Sequence, residues 1–174
     1  MADTFDRAAF WPEPAAFAQD IPGLSVRDLP ELPQAYVSGD LAAFLAAGAL
    51  APAVGLLGLA QGDRYAVRLA RHRLLVVGIE PDAGWNPGGW GVTPVGAGLA
   101  VVAVTGPRWR DFFARATPID PDAASASAAF LLGDGLPAIL TRHDAPDNLR
   151  LHVGRATLPA LHDWLGDCLN AMAR

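Results

Sequence analysis

The sequence predicts an α+β fold built from two ferredoxin-like strand–helix–strand–strand units with mostly antiparallel sheets. A short internal repeat is the first indication, because VSG at 37–39 and FLA at 44–46 recur as VTG at 104–106 and FFA at 112–114. Two apolar, β-rich runs follow each copy, which completes the unit. An apolar fraction of 52% in 174 residues supplies enough core for one ordinary domain.

The first unit covers about residues 34–80. Asp40 is a favoured residue type at a helix N-cap, and the apolar side chains behind it recur at helical spacing until Gly48. We therefore expect a strand over 35–38, a helix capped by Asp40, and a hairpin formed by 64–69 and 73–78. Residues 79–98 hold six glycines and three prolines, and we expect them to form a loop.

Residues 41–60 are a run of 20 uncharged residues, about the length that crosses a bilayer. Pro52, three glycines and many alanines weaken the case for a membrane helix, and no aromatic belt flanks the run. A short buried helix followed by an apolar loop fits the pattern better. We predict no membrane association.

The second unit covers about residues 99–172. Its first strand, 99–105, ends at Gly106-Pro107, and aromatic residues then recur at helical spacing as far as 116. Gly133-Asp134-Gly135 predicts the turn of a hairpin. The remaining elements expected are a strand over 149–153 and a last helix capped by Thr157, with one apolar side formed by Leu158, Leu161, Leu165, Cys168, Leu169 and Met172.

Residues 1–33 are predicted to be an extended, proline-rich arm that precedes the domain at 34–174. Five of the 15 prolines and six acidic residues lie there or next to it, and proline interrupts both helices and sheet ladders. Four aromatic side chains in the arm are costly to leave in water, so we expect them to cover the domain or a partner. They are Phe5, Phe10, Trp11 and Phe17.

The charge and cysteine content narrow the function classes. A net charge of −5 argues against a nucleic-acid partner, which needs a basic surface. All 13 basic residues are arginine, which points to a compositional bias rather than to 13 special sites. Cys168 is the one cysteine, so there is no internal disulfide, and a reducing cytoplasm is the expected location.

The sequence offers only weak candidates for catalytic or ligand-binding motifs. His143, Asp144 and Asp147 share a loop, but no second histidine stands at ligand spacing, and Asp is common in turns. Cys168 is expected on an apolar helix face near the C-terminal end, a setting that does not activate a thiol. No glycine pattern matches a phosphate cradle and no serine lies in a nucleophile elbow. We predict no catalytic, cofactor-binding or metal-binding residue.

Two surface features remain as a candidate partner interface. Arg64 and Arg68 fall on the same strand face of an arginine-rich hairpin, which is either a solvated edge or a dock for an acidic partner. Trp85 and Trp90 stand in GWNPGGWG, where a tryptophan pair either covers its own domain or anchors an interface. We predict that these residues, together with the aromatic arm, contact a partner.

Several segments resemble a known superfamily. The strand and helix of LAVVAVTGPRWRDFFARATPID, over 99–120, resemble the folate-binding aminomethyltransferases, in which V-x-G-P leads into a helix with paired aromatics. TPID at 117–120, LRLHVGR at 149–155 and WL at 164–165 resemble the gamma subunits of heterotetrameric sarcosine oxidases. The resemblance covers roughly residues 30–170 and implies an aminomethyltransferase-like fold.

The resemblance also implies a function. Active folate-binding relatives carry a carboxylate and a cation before the central strand, whereas residues 92–98 (VTPVGAG) hold neither. The chain is thus expected to be a small, non-catalytic subunit of a flavin-dependent complex that oxidatively demethylates sarcosine to glycine. Flavins and tetrahydrofolate are expected in the larger partner subunits and not in this chain. The alternative is a stand-alone folate-binding one-carbon transfer protein, for which Asp120, Asp144 or Asp147 would supply the carboxylate.

Overall fold

The computed structural model describes residues 15–120, 122–123, 125–133 and 135–174, and these form twelve β-strands and three α-helices. The elements in chain order are β1 (Ala18–Ile21), β2 (Leu24–Asp28), β3 (Gln34–Gly39), α1 (Leu41–Ala47), β4 (Leu59–Ala60), β5 (Tyr65–Ala70), β6 (Arg73–Val77), β7 (Gly84–Asn86), β8 (Trp90–Pro94), β9 (Leu99–Thr105), α2 (Trp109–Ala116), β10 (Ala129–Leu132), β11 (Leu136–His143), β12 (Ala145–Gly154) and α3 (Leu158–Met172).

Two sheets contain these strands, and their pairing is mostly antiparallel. The large sheet has the order β1-β2-β9-β12-β11-β10, with β4 pairing in parallel with the end of β11. The small sheet has the order β5-β6-β3-β8-β7. This arrangement confirms the predicted α+β class.

The internal repeat is also present in the strand order. In the first unit, β3 pairs with β6 and β6 pairs with β5; in the second, β9 pairs with β12 and β12 with β11. A helix, α1 or α2, follows the first strand of each unit. Both units therefore have the same strand–helix–strand–strand topology.

Each unit is completed by a hairpin that lies next to the other unit in the chain. Strand β2 of the β1–β2 hairpin precedes the first unit but pairs with β9 of the second. Strand β8 of the β7–β8 hairpin precedes the second unit but pairs with β3 of the first. The two units thus exchange hairpins.

These hairpins differ from two sequence predictions. Residues 18–28 were expected in an arm outside the domain, yet Leu24 and Val26 lie in the core and β2 hydrogen-bonds to β9. The prediction fails here because both prolines near the hairpin, Pro22 in its turn and Pro30 beyond its end, leave the strands free to pair. Residues 1–14, including Phe5, Phe10 and Trp11, lie outside the described residues.

The segment 79–98 was expected to be a loop, but it contains β7 and β8. Only Pro87, Gly88 and Gly89 fall in the hairpin turn, and the other glycines and prolines of the segment lie in the two strands or outside the hairpin. The Asn86 side chain accepts a hydrogen bond from the Gly88 N–H at 2.8 Å, and the Gly89 N–H donates to the Asn86 carbonyl at 3.0 Å. Glycine and asparagine serve such tight turns because they tolerate unusual backbone angles.

A glycine joins the first strand to the helix in both units. Gly39 and Gly106 have φ values of +113° and +122°, a region that side chains disfavour. A Cβ atom at Gly39 would collide with the Gly89 carbonyl, and one at Gly106 with the Gly23 carbonyl. The exchanged hairpins therefore approach these glycines closely and equivalently.

Helices cover the outer faces of the two sheets, and the inner faces pack against each other. Helix α1 covers the small sheet through Leu41 and Phe44, while α2 and α3 cover the large sheet. Between the sheets lies a separate cluster that includes Tyr65, Val67 and Ile139. The order of layers is helix, small sheet, large sheet, helices.

The caps and ends of the helices agree with the sequence predictions, with one exception. The Asp40 side chain accepts from the Ala43 N–H at 3.0 Å, as expected of an N-cap, and Gly48 ends α1. Thr157 makes no such cap, because its hydroxyl donates to the Gly154 carbonyl at 2.7 Å instead. Within the described part of the chain, no helix is long and apolar enough to cross a membrane.

Candidate functional site

A groove of about 680 Å³ opens between the two sheets at one end of the molecule. We call it the inter-sheet groove. Its floor is the inner face of the large sheet, with Leu131, Ile139, His152 and other residues of β9 to β12. The ends of β5 and β6 and the side chain of Tyr36 form the opposite wall.

A buried polar cluster continues from the floor of this groove into the space between the sheets. Alternation along β12 turns Leu149, Leu151 and Val153 toward the helices, so Arg150 and His152 face the small sheet. The Gln34 side-chain oxygen lies 2.6 Å from Nδ1 of His152.

Tyr65 of the small sheet joins the same cluster. Its hydroxyl lies 3.5 Å from Nε2 of His152 and accepts a hydrogen bond from Arg150 at 3.2 Å. The Arg150 guanidinium also lies 5.7 Å from the centre of the Tyr65 ring. Together these contacts tie β3, β5 and β12 to one another.

The protonation of the cluster follows from its burial. Desolvation, with smaller contributions from Arg150 and His143, lowers the pKa of His152 to about 3. Burial likewise raises the pKa of the Tyr65 hydroxyl. Both side chains are therefore uncharged near neutral pH. A neutral imidazole whose ring nitrogens already face Gln34 and Tyr65 is suited to a structural role rather than to general base catalysis.

His143 closes the other end of the inter-sheet space. Its ring nitrogens lie 2.9 Å from the Gly62 carbonyl and 3.0 Å from an Asp144 carboxylate oxygen, and the Gly62 N–H donates to Asp144 at 2.8 Å. This ring of contacts ties the loop before β5 to the turn between β11 and β12. The described residues contain no group of three or more histidine, cysteine or acidic side chains that could hold a metal ion.

The described lining of the groove has no carboxylate that could fix a pterin ring. Among its described lining residues, Arg73 is the only charged side chain and there is no carboxylate. The three candidate acids lie elsewhere: Asp120 in an exposed loop, Asp144 beside His143, and Asp147 exposed at the start of β12. The structure does not bring any of them to the groove.

The predicted aromatic contacts occupy different environments. Phe17 is partly buried and stacks on His162, with ring centres 5.2 Å apart. Trp90 is partly buried and meets Phe44 edge to face at 6.0 Å. Trp85, on edge strand β7, has 73% of its surface exposed. Phe17 and Trp90 thus bury most of their apolar surface within the chain, whereas most of the Trp85 surface is exposed.

The two arginines of the candidate interface lie at β5. Arg64 is exposed just before the strand, and Arg68 is half-buried, with a guanidinium nitrogen donating to the Arg71 carbonyl at 3.3 Å. Cys168, in contrast, lies on the buried face of α3, and burial raises the pKa of its thiol. The charge of Arg115 acts in the opposite direction, but the effect of burial on the thiol pKa is larger.

Sequence reasoning missed the residues that build the inter-sheet space. Gln34 and Tyr65 could not be identified from the sequence pattern. Both faces of their strands are buried, so polar and apolar side chains do not alternate along them. Leu131 is 58% exposed inside a strand that looks apolar throughout. The alternation of Arg150 and His152 with three apolar residues was the one available signal of a polar inner face.

No protein-family model matches the chain, and no curated protein matches it by sequence. Among solved structures, it is similar to a chain of the heterotetrameric sarcosine oxidase from Corynebacterium sp. U-96, solved in complex with pyrrole 2-carboxylate. That match has a TM-score of 0.67 and 18% identity, and covers 87% of this chain and 86% of that chain.

The chain is also similar to the glycine cleavage system aminomethyltransferase T from Bartonella henselae. The TM-score is 0.52 with 16% identity, and the match covers 81% of this chain but 45% of that one. These two similarities confirm the aminomethyltransferase-like fold that the sequence resemblance implies.

Proposed function

We propose that the chain is a small, non-catalytic subunit of a flavin-dependent sarcosine (N-methyl amine) oxidase complex, which oxidatively demethylates sarcosine to glycine. The observation that carries this proposal is the fold match to a chain of a heterotetrameric sarcosine oxidase, which covers 87% of one chain and 86% of the other. The match extends over most of both chains, so the likeness involves the fold as a whole and not one local motif.

The inter-sheet space supports the non-catalytic part of the proposal. The buried His152 is neutral and hydrogen-bonded, and the inter-sheet groove offers no carboxylate among the described residues. We expect flavins and tetrahydrofolate to be bound by the larger partner subunits. The exposed Trp85 is the apolar side chain we expect a partner to cover.

Purification from the native host tests the proposal. An affinity-tagged chain is expected to retain a larger polypeptide with the absorbance spectrum of an oxidised flavin, and the eluate is expected to oxidise sarcosine. The same purification with the tag alone is the control. A tagged chain that elutes without flavin and without a larger subunit would contradict the proposal.

A single substitution tests whether Trp85 lies in the interface. Trp85→Ala is expected to reduce the flavoprotein retained by about tenfold, because exposed tryptophans often dominate interface energies. Its effect on the free energy of unfolding is expected to stay within about 0.5 kcal/mol. Leu59→Ala, at an apolar side chain that is 42% exposed, is the matched control. Equal retention by wild type and both variants would place Trp85 outside the interface.

A stand-alone folate-binding one-carbon transfer protein is the second candidate. The fold match to an aminomethyltransferase and a groove of about 680 Å³ favour it. Calorimetric titration with tetrahydrofolate is the direct test, using the isolated chain. Saturable heat would favour this candidate, whereas the absence of heat at high ligand concentration would dispose of it.

A further inference from the structure

The inter-sheet groove exists because the large sheet extends beyond the small one. Strand β10 lies at the edge of the large sheet, and nothing in the described residues pairs with its outer side. Leu131 on β10 is 58% exposed, next to the groove wall formed by Leu69 and Ala70. Leu131 is one of three large apolar side chains that are exposed on the described residues, and it lies beside a groove, which makes this face a candidate docking surface.

The rim of the groove at its β5–β6 end carries positive charge, and Arg73 is the only charged residue in the described lining itself. Arg73 is exposed and lines the groove, and Arg71 is exposed in the same β5–β6 turn. Arg68, near the end of β5, lines the neighbouring cavity together with Arg71 and the acidic side chain of Asp40. Within the part of the chain that the structure describes, none of the three arginines takes part in a salt bridge, although the chain has a net charge of −5.

The size of the groove sets the length of its occupant. The floor crosses four neighbouring strands, β10, β11, β12 and β9. Three strand spacings amount to about 14 Å, which matches about four residues of extended chain. The groove is therefore suited to a short peptide segment and not to a flat protein face.

We propose that the inter-sheet groove receives an apolar segment of the larger partner subunit, and that acidic side chains on this segment pair with Arg71 and Arg73. The proposal rests on the proposed function, because that function supplies the partner. Apolar burial against Leu131 and Ile139 contributes the affinity. The arginines contribute orientation and the rate of encounter, as charged rims do at other interfaces.

Charge reversal at the rim is the test. The doubly substituted chain, Arg71→Glu with Arg73→Glu, is expected to retain about tenfold less flavoprotein than wild type. Leu131→Asp, which adds a charge at an already exposed position, is expected to have a similar effect. Retention by the wild type is expected to fall as the salt concentration rises, because the rim charges become screened.

Matched controls separate loss of docking from loss of folding. Arg115→Glu with Arg174→Glu reverses two exposed arginines on and beyond the helices, and Leu59→Asp adds a charge at another exposed leucine. Both controls are expected to retain flavoprotein within about twofold of wild type. Thermal unfolding of each isolated variant verifies that all of them are folded.

The outcomes distinguish this proposal from the one it depends on. If the rim and Leu131 variants retain flavoprotein as fully as the controls, the groove proposal is overturned while the proposed function stands. If the wild type retains no flavoprotein, both are overturned. If the rim variants and deletion of residues 1–14 destabilise the isolated chain equally, and flavoprotein binding is unchanged, the occupant is the chain's own N-terminal segment and the proposal is wrong.

Discussion

His152 shows how one side chain depends on its surroundings for its charge. The imidazole is almost fully buried between the sheets, with Gln34 on one ring nitrogen and the Tyr65 hydroxyl near the other. Arg150 and His143 add positive potential from β12 and β11. Burial is the larger cause of the lowered pKa of His152, and these electrostatic interactions add to it.

The stability of the protein is expected to fall in acid because of His152. Its pKa is about 3 in the folded chain and about 6.5 in the unfolded chain, so only the unfolded state takes up a proton between these values. Stability is therefore full above about pH 6.5 and is lost as the pH falls toward 3. Between pH 7 and 5 the expected loss from this residue is about 2 kcal/mol.

Chemical denaturation of wild type and His152→Gln at both pH values measures this difference. Glutamine keeps a hydrogen-bonding side chain but does not titrate. The wild type is expected to lose about 2 kcal/mol more than the variant between pH 7 and 5. Equal losses would mean that His152 is protonated in the folded protein as readily as in the unfolded one.

At the scale of elements, the two strand-to-helix junctions are the clearest repeat in the molecule. Gly39 donates to the His72 carbonyl at 3.3 Å, and Gly106 to the Asp147 carbonyl at 3.0 Å. The likeness continues just beyond the glycines, because the N–H of Asp40, one residue on, donates to the Gly89 carbonyl, and the N–H of Arg108, two residues on, donates to the Gly23 carbonyl. Each junction is thus hydrogen-bonded to residues of two hairpins.

Substitution of the junction glycines is expected to destabilise the fold. Gly106→Ala combines a disfavoured φ of +122° with a collision against the Gly23 carbonyl, and we expect a loss of about 3 kcal/mol. Gly39→Ala is expected to behave alike. Gly166→Ala is the control, because this position in α3 has no atom within 4 Å of an added Cβ and should gain about 0.5–1 kcal/mol. Urea unfolding curves measure all three, and a neutral Gly106→Ala would contradict the close approach.

The element types were largely predictable, and their pairing was not. Strand β9, helix α2 and the apolar side of α3 fall where the periodicity of the side chains placed them. The hairpins at β1–β2 and β7–β8 were missed, since short strands beside proline and glycine resemble loops. The inter-sheet groove was missed as well, because it depends on how far one sheet extends past the other.

For the whole molecule, the exchange of hairpins joins the two units into one folding body. Strand β2 completes the sheet of the second unit and β8 that of the first, so neither half of the chain holds a complete sheet. The inter-sheet cluster around Tyr65 and Ile139 joins buried residues from the inner faces of both sheets. Unfolding of one unit would therefore expose the apolar inner face of the other unit to water.

Hydrogen exchange is expected to show this coupling. Amides in β3 of the small sheet and β9 of the large sheet are each at the centre of their sheet, and we expect them to exchange with the same free energy of opening. Strand β7, at an exposed edge, serves as the internal control and should exchange more easily. Opening of β3 at a much lower free energy than β9 would show that the units unfold separately.

The sequence by itself determined the local structure: which residues alternate along a strand, where Asp40 begins a helix, and where glycines allow the chain to turn. Only the tertiary structure decided that β2 joins β9, that β8 joins β3, and that His152 is buried beside an open groove. The physical reason is that backbone hydrogen-bonding groups are alike in every strand, so side-chain periodicity identifies a strand but not its partner. Burial between the sheets, and with it the charge of His152, follows from those long-range pairings.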